Sequence, residues 1–225
     1  MTPALRHLAL AAAIAALATG PAAAKPKAPA AAAAPPKSAL PADAVFGDMS
    51  LGNPKARVHV IEYASASCPH CAHFDEETFP AFKAKYVDTG RVFYTLKEYL
   101  TEPADVAAAG FLLARCGGKA KYFEILDEVF KSQTLWGTTP IDQVLYQVGK
   151  ANGLSEDQVK ACITDDTGAA ALTVRVRSAM QNDKIESTPT FVVNGKRIEG
   201  AVPLSDLDKA ITEAEKAPPR KAAKR

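Results

Sequence analysis

The sequence predicts an α/β fold in which an all-helical block is set into a small sheet. Three observations lead there. The apolar run Val58-His59-Val60-Ile61-Glu62-Tyr63 passes almost directly into Ser67-Cys68-Pro69-His70-Cys71, where helical periodicity begins. From Ala104 to Asn182 the apolar residues keep the spacing of helices. The chain then returns to strand-like residues at Thr190-Phe191-Val192-Val193. Val, Ile and Tyr suit a pleated, buried strand, whereas apolar residues three and four apart mark one face of a helix.

Residues 1–24 carry a basic head (Arg6), an apolar run from Leu8 to Leu17, and the small residues Ala22-Ala23-Ala24. That is the layout of a secretory signal peptide with an Ala-x-Ala cleavage site, and the run is short for a membrane span. An uncleaved anchor is the alternative. Residues 25–42 are almost all Ala, Pro and Lys and read as a solvated linker. Residues 217–225 form a basic tail of the same kind. Eight of the 27 basic residues lie in these ends, while all 25 acidic residues fall within 43–216, so the folded part is near −6 although the whole chain is formally +2. That balance argues against nucleic acid as a partner and allows the tails a loose contact with an acidic membrane surface.

Residues 43–216 are long enough for one domain with its own core. Val45 to Leu51 reads as an edge strand and Gly52-Asn53-Pro54 as a turn. The strand Val58 to Tyr63 is followed by a helix reaching about Lys85, which Phe79-Pro80 should kink or break. Arg91 to Leu96 reads as a second core strand. In the insertion, about 104–182, helices are expected over Asp105–Cys116, Tyr122–Lys131, Ile141–Lys150, Ser155–Ile163 and Thr167–Asn182. Thr139-Pro140 and Ser155 with Gln158 supply N-terminal caps, and Gly153 a stop. Thr190–Val193, the turn Asn194-Gly195 and Lys196–Ile198 form a hairpin, and Ser205 caps a last helix.

The chemistry concentrates at the cysteine pair. Pro69 suits the first turn of a helix, which puts Cys68 at a helix N-terminus, where unpaired N–H groups and a partial positive charge favour the thiolate. Cys71 can reach the same sulfur, so the pair can form a disulfide and exchange it. Half of a metal site using His70 or His73, or an inert bridge, are the competing readings; a tetrahedral site would lack a ligand, and so short a loop gives a bridge little stabilising effect. His70 can donate to the Cys68 sulfur or simply face solvent. Glu62, six residues before Cys68, would titrate high if buried under the pair and could carry the Cys71 proton; otherwise it is an exposed strand residue. Asp75 and Lys97 are weaker candidates for that cluster. Cys116 and Cys162 are expected to bridge in an exported protein, with two buried thiols as the alternative. Trp136 reads as core or loop cover.

Cys68-Pro69-His70-Cys71, the preceding Ile61-Glu62-Tyr63, and Ser187-Thr188-Pro189-Thr190-Phe191 with Asn194-Gly195 occur in this order around a helical block. On these motifs the chain, over about 48–215, resembles the DsbA-like members of the thioredoxin superfamily. The resemblance implies a thioredoxin-like fold with an inserted helical subdomain and a protein disulfide oxidoreductase acting on reduced exported proteins. It makes Cys68 the exposed nucleophile and Cys71 its buried partner. It also makes Thr188-Pro189 a cis bond that lies against the disulfide and leaves the Thr188 backbone to pair with substrate. No cofactor beyond the Cys68–Cys71 disulfide and no metal is implied. A periplasmic location, re-oxidation by a membrane thiol oxidase of the DsbB kind, and a monomer are. One departure stands out: Thr188 replaces the Val of the best-known oxidases and is more typical of isomerases, so an isomerase or reductase is the alternative direction, with a metal-binding module further off.

Overall fold

A computed structural model describes residues 38–217. The predicted signal peptide (1–24), the linker up to residue 37 and the tail from 218 lie outside the described residues. After a short helix α1 (Ala42–Val45) and strand β1 (Met49–Gly52), strand β2 (Val58–Ala64) buries Val58, Val60 and Glu62 on one side and half-covers His59 and Ile61 on the other. That alternation is the period of two that a pleat imposes.

β2 is central in a five-stranded sheet with β3 (Val92–Glu98), β4 (Thr190–Val193) and β5 (Lys196–Glu199), in the order β1-β3-β2-β4-β5. It runs parallel to β3, with Val60 opposite Tyr94 and Glu62 opposite Leu96, and antiparallel to β4, with Glu62 opposite Phe191. β1 and β5 close the two edges antiparallel to their neighbours. A parallel pair needs a crossover. Here it is α2 (Pro69–Glu77), α3 (Phe79–Phe82) and a π-type turn over Lys83–Val87. The break expected at Phe79-Pro80 falls at Thr78, because Pro80 has no N–H to continue the ladder.

The Glu62 side of the sheet is covered by α2, α3 and α9 (Leu204–Lys216), with Phe74, Phe82, Phe191 and Ile211 in one core. The other side is partly covered by the end of α8 (Asp166–Gln181) and the segment after it, where Tyr63, Tyr99, Ala179 and Ile185 meet. The helical block comprises α4 (Ala104–Cys116), α5 (Gly118–Ser132), α6 (Ile141–Ala151), α7 (Glu156–Ile163) and α8. Ser155 and Gln158 form a reciprocal capping box at α7. A disulfide joins Cys116 to Cys162, tying the end of α4 to that of α7 with a Cα–Cα distance of 5.9 Å. In the hairpin turn Asn194 and Gly195 both take positive φ, 44° and 93°.

Several expectations are corrected. Ser38 to Leu40, read as linker, pack on the domain: Ser38 Oγ and Ala39 N–H donate to Asp165, and Leu40 is buried against Val45, Leu112 and Cys162. Val45 ends a helix instead of opening a strand, because its carbonyl and that of Ala44 are taken by Arg175 and Arg115 of the helical block. α5 starts four residues before Tyr122, since Gly117-Gly118 turns the chain without a loop and Gly118 has φ +67°. Neither Thr139 nor Ser205 caps a helix; the N-cap positions are Pro140 and Pro203, with no side-chain bond at either.

Candidate active site

Three segments converge on the cysteine pair: the β2–α2 loop, the loop after β3, and the segment entering β4. In the first, the Cys68 N–H donates to the Ser65 carbonyl (3.0 Å), and Cys68 is the N-cap of α2 with Pro69 just inside. The second is laced to it by hydroxyls. Ser67 Oγ donates to the Thr101 carbonyl at 3.0 Å, while the Thr101 N–H and hydroxyl donate to Ser65 Oγ at 3.0 and 2.9 Å. The third brings the cis Thr188–Pro189 bond against the sulfur, and Cys68 Sγ donates to the Thr188 carbonyl at 3.4 Å.

Cys68 and Cys71 are free thiols, so this is the reduced pair. Cys68 keeps 6% of its surface and Cys71 none. The expected exposed nucleophile is thus only a narrow opening, because the Thr188–Pro189 segment closes over it. The two sulfurs are placed unequally. Cys68 is pulled down from 9.0 to about 5, chiefly by the Cys71 thiol donating to its sulfur, with burial opposing and with Thr188 and the N–H groups of Cys71 and His70 adding donors. Burial and the neighbouring Cys68 sulfur push Cys71 well above the ordinary thiol value. The Thr188 hydroxyl is buried, with no hydrogen-bond partner in this structure. Once Cys68 ionises, that hydroxyl has an acceptor beside it.

His70 contributes its N–H rather than a packed ring, since the residue is exposed on the first turn of α2. Glu62 is buried, at 3% exposure, and accepts from Tyr94 Oη at 2.5 Å. Burial raises its carboxyl to about 7, with the Tyr94 bond opposing and the Cys68 charge adding. Asp75, one turn beyond Cys71, rises to about 8 through burial, the Glu62 charge and a hydrogen bond with Asp127 of α5. Lys97 does not join this cluster: it lies on the other face of the sheet, paired with Asp183 at 3.0 Å and set over the Tyr63 ring. Trp136 is half-buried and donates to Ser132 Oγ at 3.3 Å.

The sequence reading missed Ser65, Ser67, Thr101, Tyr94 and Gln133, whose Nε2 donates to the Ala66 carbonyl at 2.9 Å. Hydroxyls in a Ser-x-Ser run before the cysteines were the one local signal. Among the described residues no group of three or more His, Cys, Asp or Glu side chains is placed to hold a metal ion.

A sheet-to-helix turn that sets one acidic and one suppressed thiol against a cis-proline segment has the geometry for dithiol–disulfide chemistry. A thioredoxin family model matches residues 45–213. A candidate protein-disulfide oxidoreductase of Rickettsia typhi is 32% identical over 169 residues, 74% of this chain and 62% of that protein. Thus the chain spans about three fifths of the length of the curated relatives it matches. Among solved structures, alpha-DsbA1 of Wolbachia pipientis is 26% identical, covers 75% of this chain and 93% of its own, and superposes with a TM-score of 0.68. BdbD from Bacillus subtilis, at 19% identity, 80% of this chain and 98% of its own, shares the fold with a TM-score of 0.68. The chain belongs to the thioredoxin family, in its DsbA-like group.

Proposed function

We propose that this protein is an exported thiol:disulfide oxidase that passes the Cys68–Cys71 disulfide to pairs of cysteines in reduced exported proteins. The observation that carries this is the inequality of the two sulfurs. A thiolate held at Cys68 by four donors stabilises the reduced enzyme, and stabilising the reduced form makes the oxidised form a stronger oxidant. A substrate thiolate attacks Cys68 and a mixed disulfide forms as the Cys68–Cys71 bond breaks. The second substrate thiolate then attacks its own mixed-disulfide sulfur, releasing Cys68 as thiolate. Two electrons pass to the enzyme, and Glu62 supplies the proton that Cys71 takes up. Re-oxidation falls to a membrane thiol oxidase of the DsbB kind. The N-terminal signal-like residues support export to the periplasm, and no helix among the described residues is long and apolar enough to cross a membrane.

Thr188 favours a second direction, isomerisation or reduction, because Thr in place of Val before this proline is more typical of the related isomerases. The first of two measurements separates these, and the second tests exchange itself. Equilibration with glutathione should give a potential well above about −270 mV, the thioredoxin value; a potential near that value would remove the oxidase reading. In a Cys71→Ala variant expressed in an oxidising compartment, mixed disulfides should accumulate through Cys68. None at all would count against catalysis in either direction.

A further inference from the structure

The carbonyl of Cys68 is contested. It accepts the N–H groups of Cys71 and Ala72, each at 3.1 Å, which open α2. The Cys71 N–H is also one of two backbone donors to the Cys68 sulfur, with that of His70. One N–H therefore stands between two acceptors, and what it gives the carbonyl it withholds from the sulfur. At the end of α5 the Gln133 amide reaches out of the helical block, its Nε2 donating to the Ala66 carbonyl at 2.9 Å and the Cys68 carbonyl at 3.4 Å. A separate contact fixes the block at the same point. A Cβ at Gly110 of α4 would stand 3.0 Å from Cβ of Ala66 and 3.0 Å from Cγ1 of Val129, so α4 seats directly on the residue whose carbonyl Gln133 holds.

We propose that Gln133 is a positioning residue for the exchange reaction: by occupying the carbonyls of Ala66 and Cys68, it holds the entry to α2 and leaves the Cys71 N–H to the Cys68 sulfur. Its amide bonds backbone carbonyls rather than the sulfur, so it works through the backbone. A hydrogen bond to a charged acceptor is roughly twice as strong as one to a neutral acceptor, so redirecting one shared N–H is enough to matter. A plain clamp between two parts of the molecule would raise stability only; this one also sets the thiolate. The inference rests on Cys68 being the exchanging sulfur.

The test uses Gln133→Met, which keeps the length and removes both donors, and Gln133→Glu, which keeps the shape, cannot donate and adds a negative charge. Cys68 is titrated by thiolate absorbance, and each variant is equilibrated with glutathione. In Gln133→Met the Cys68 pKa should rise by about one unit. The glutathione equilibrium should move about tenfold toward the oxidised protein, close to 30 mV. Gln133→Glu should move both readings further. Val144→Ala, at a buried position of α6, is the stability control and should lower the melting temperature while leaving both readings in place. The proposal fails if both Gln133 variants keep the wild-type pKa and equilibrium, or move them no more than Val144→Ala does. A wild-type Cys68 that titrates like a free thiol would instead remove the exchange reading itself, and the Gln133 proposal with it.

Discussion

Cys68 and Glu62 are acids shifted in opposite directions, and each shift ties stability to pH with its own sign. The folded pKa of Cys68, about 5, lies below its ordinary 9.0, so between those values the unfolded reduced chain binds more protons than the folded one. The reduced protein therefore gains stability as pH rises through that window and loses it as pH falls through 5. Glu62 and Asp75 are present in both redox forms, so most of their effect cancels in the difference. Unfolding of reduced and oxidised protein compared from pH 5 to 8 should show the reduced form gaining steadily; a constant gap would contradict an acidic Cys68. Glu62 is the reverse case. Its pKa is raised from 4.5 to about 7, so keeping it buried costs stability that grows as pH rises from 4.5 through 7. Glu62→Gln, which can still accept from Tyr94, should stabilise the protein at pH 8 by on the order of 3 kcal/mol and change little near pH 4. The same variant should slow the Cys71 step and remove an inflection near pH 7 from its rate. An unchanged pH–rate profile would exclude Glu62 as the proton carrier. Glu62 was legible as a candidate because an ionisable residue interrupted an apolar strand. Tyr94, 32 residues away, was not, because only the β2–β3 register brings the two together.

Among the elements, what could be read were those whose signals are local. Pro69 after Cys68, the Ser155/Gln158 box and the Asn194-Gly195 turn each act within a few residues, and each stands where the pattern put it. What could not be read depends on distant partners. α1 forms because two arginines from the helical block take its carbonyls, and Ser38 is ordered because the N-cap of α8, Asp165, reaches back to it. The Cys116–Cys162 bridge is an element-scale device, since it joins the ends of α4 and α7 across 46 residues. In the chain-entropy picture a loop of that length stabilises by about 4 kcal/mol. A Cys116→Ala/Cys162→Ala double variant should lose up to about that much in chemical denaturation, with the Cys68 pKa and glutathione equilibrium unmoved. A change in either would mean that the helical block transmits its own looseness to the cysteine pair.

At the scale of the whole molecule, the question is what holds a helical block onto a sheet that is otherwise continuous around it. The answer centres on Glu98, at the end of β3, which is 1% exposed. Arg115 of α4 reaches its Oε1 at 2.7 Å and Arg175 of α8 its Oε2 at 2.7 Å, while Tyr122 of α5 donates to Oε1 at 2.9 Å. The two guanidinium groups go on to the carbonyls of Ala44, Val45 and Gly47, so one carboxylate links the sheet, three helices of the block and the N-terminal segment. Three residues further along, Thr101 is bonded to Ser65 and Ser67 beside the cysteines, so the network and the active site share one strand end. Removing one partner of a buried pair leaves the others charged and desolvated, which costs about 3–5 kcal/mol. Glu98→Gln should therefore lower the free energy of unfolding by that order, while the substituted amide keeps the shape and a single acceptor for Tyr122. Because both parts lean on the same group, unfolding followed by far-ultraviolet signal and by Trp136 fluorescence should stay coincident in the wild type and separate in the variant. A loss below about 1 kcal/mol, with the two signals still coincident, would place the docking energy in the apolar contacts around Ala66 and Gly110 rather than in this charge cluster.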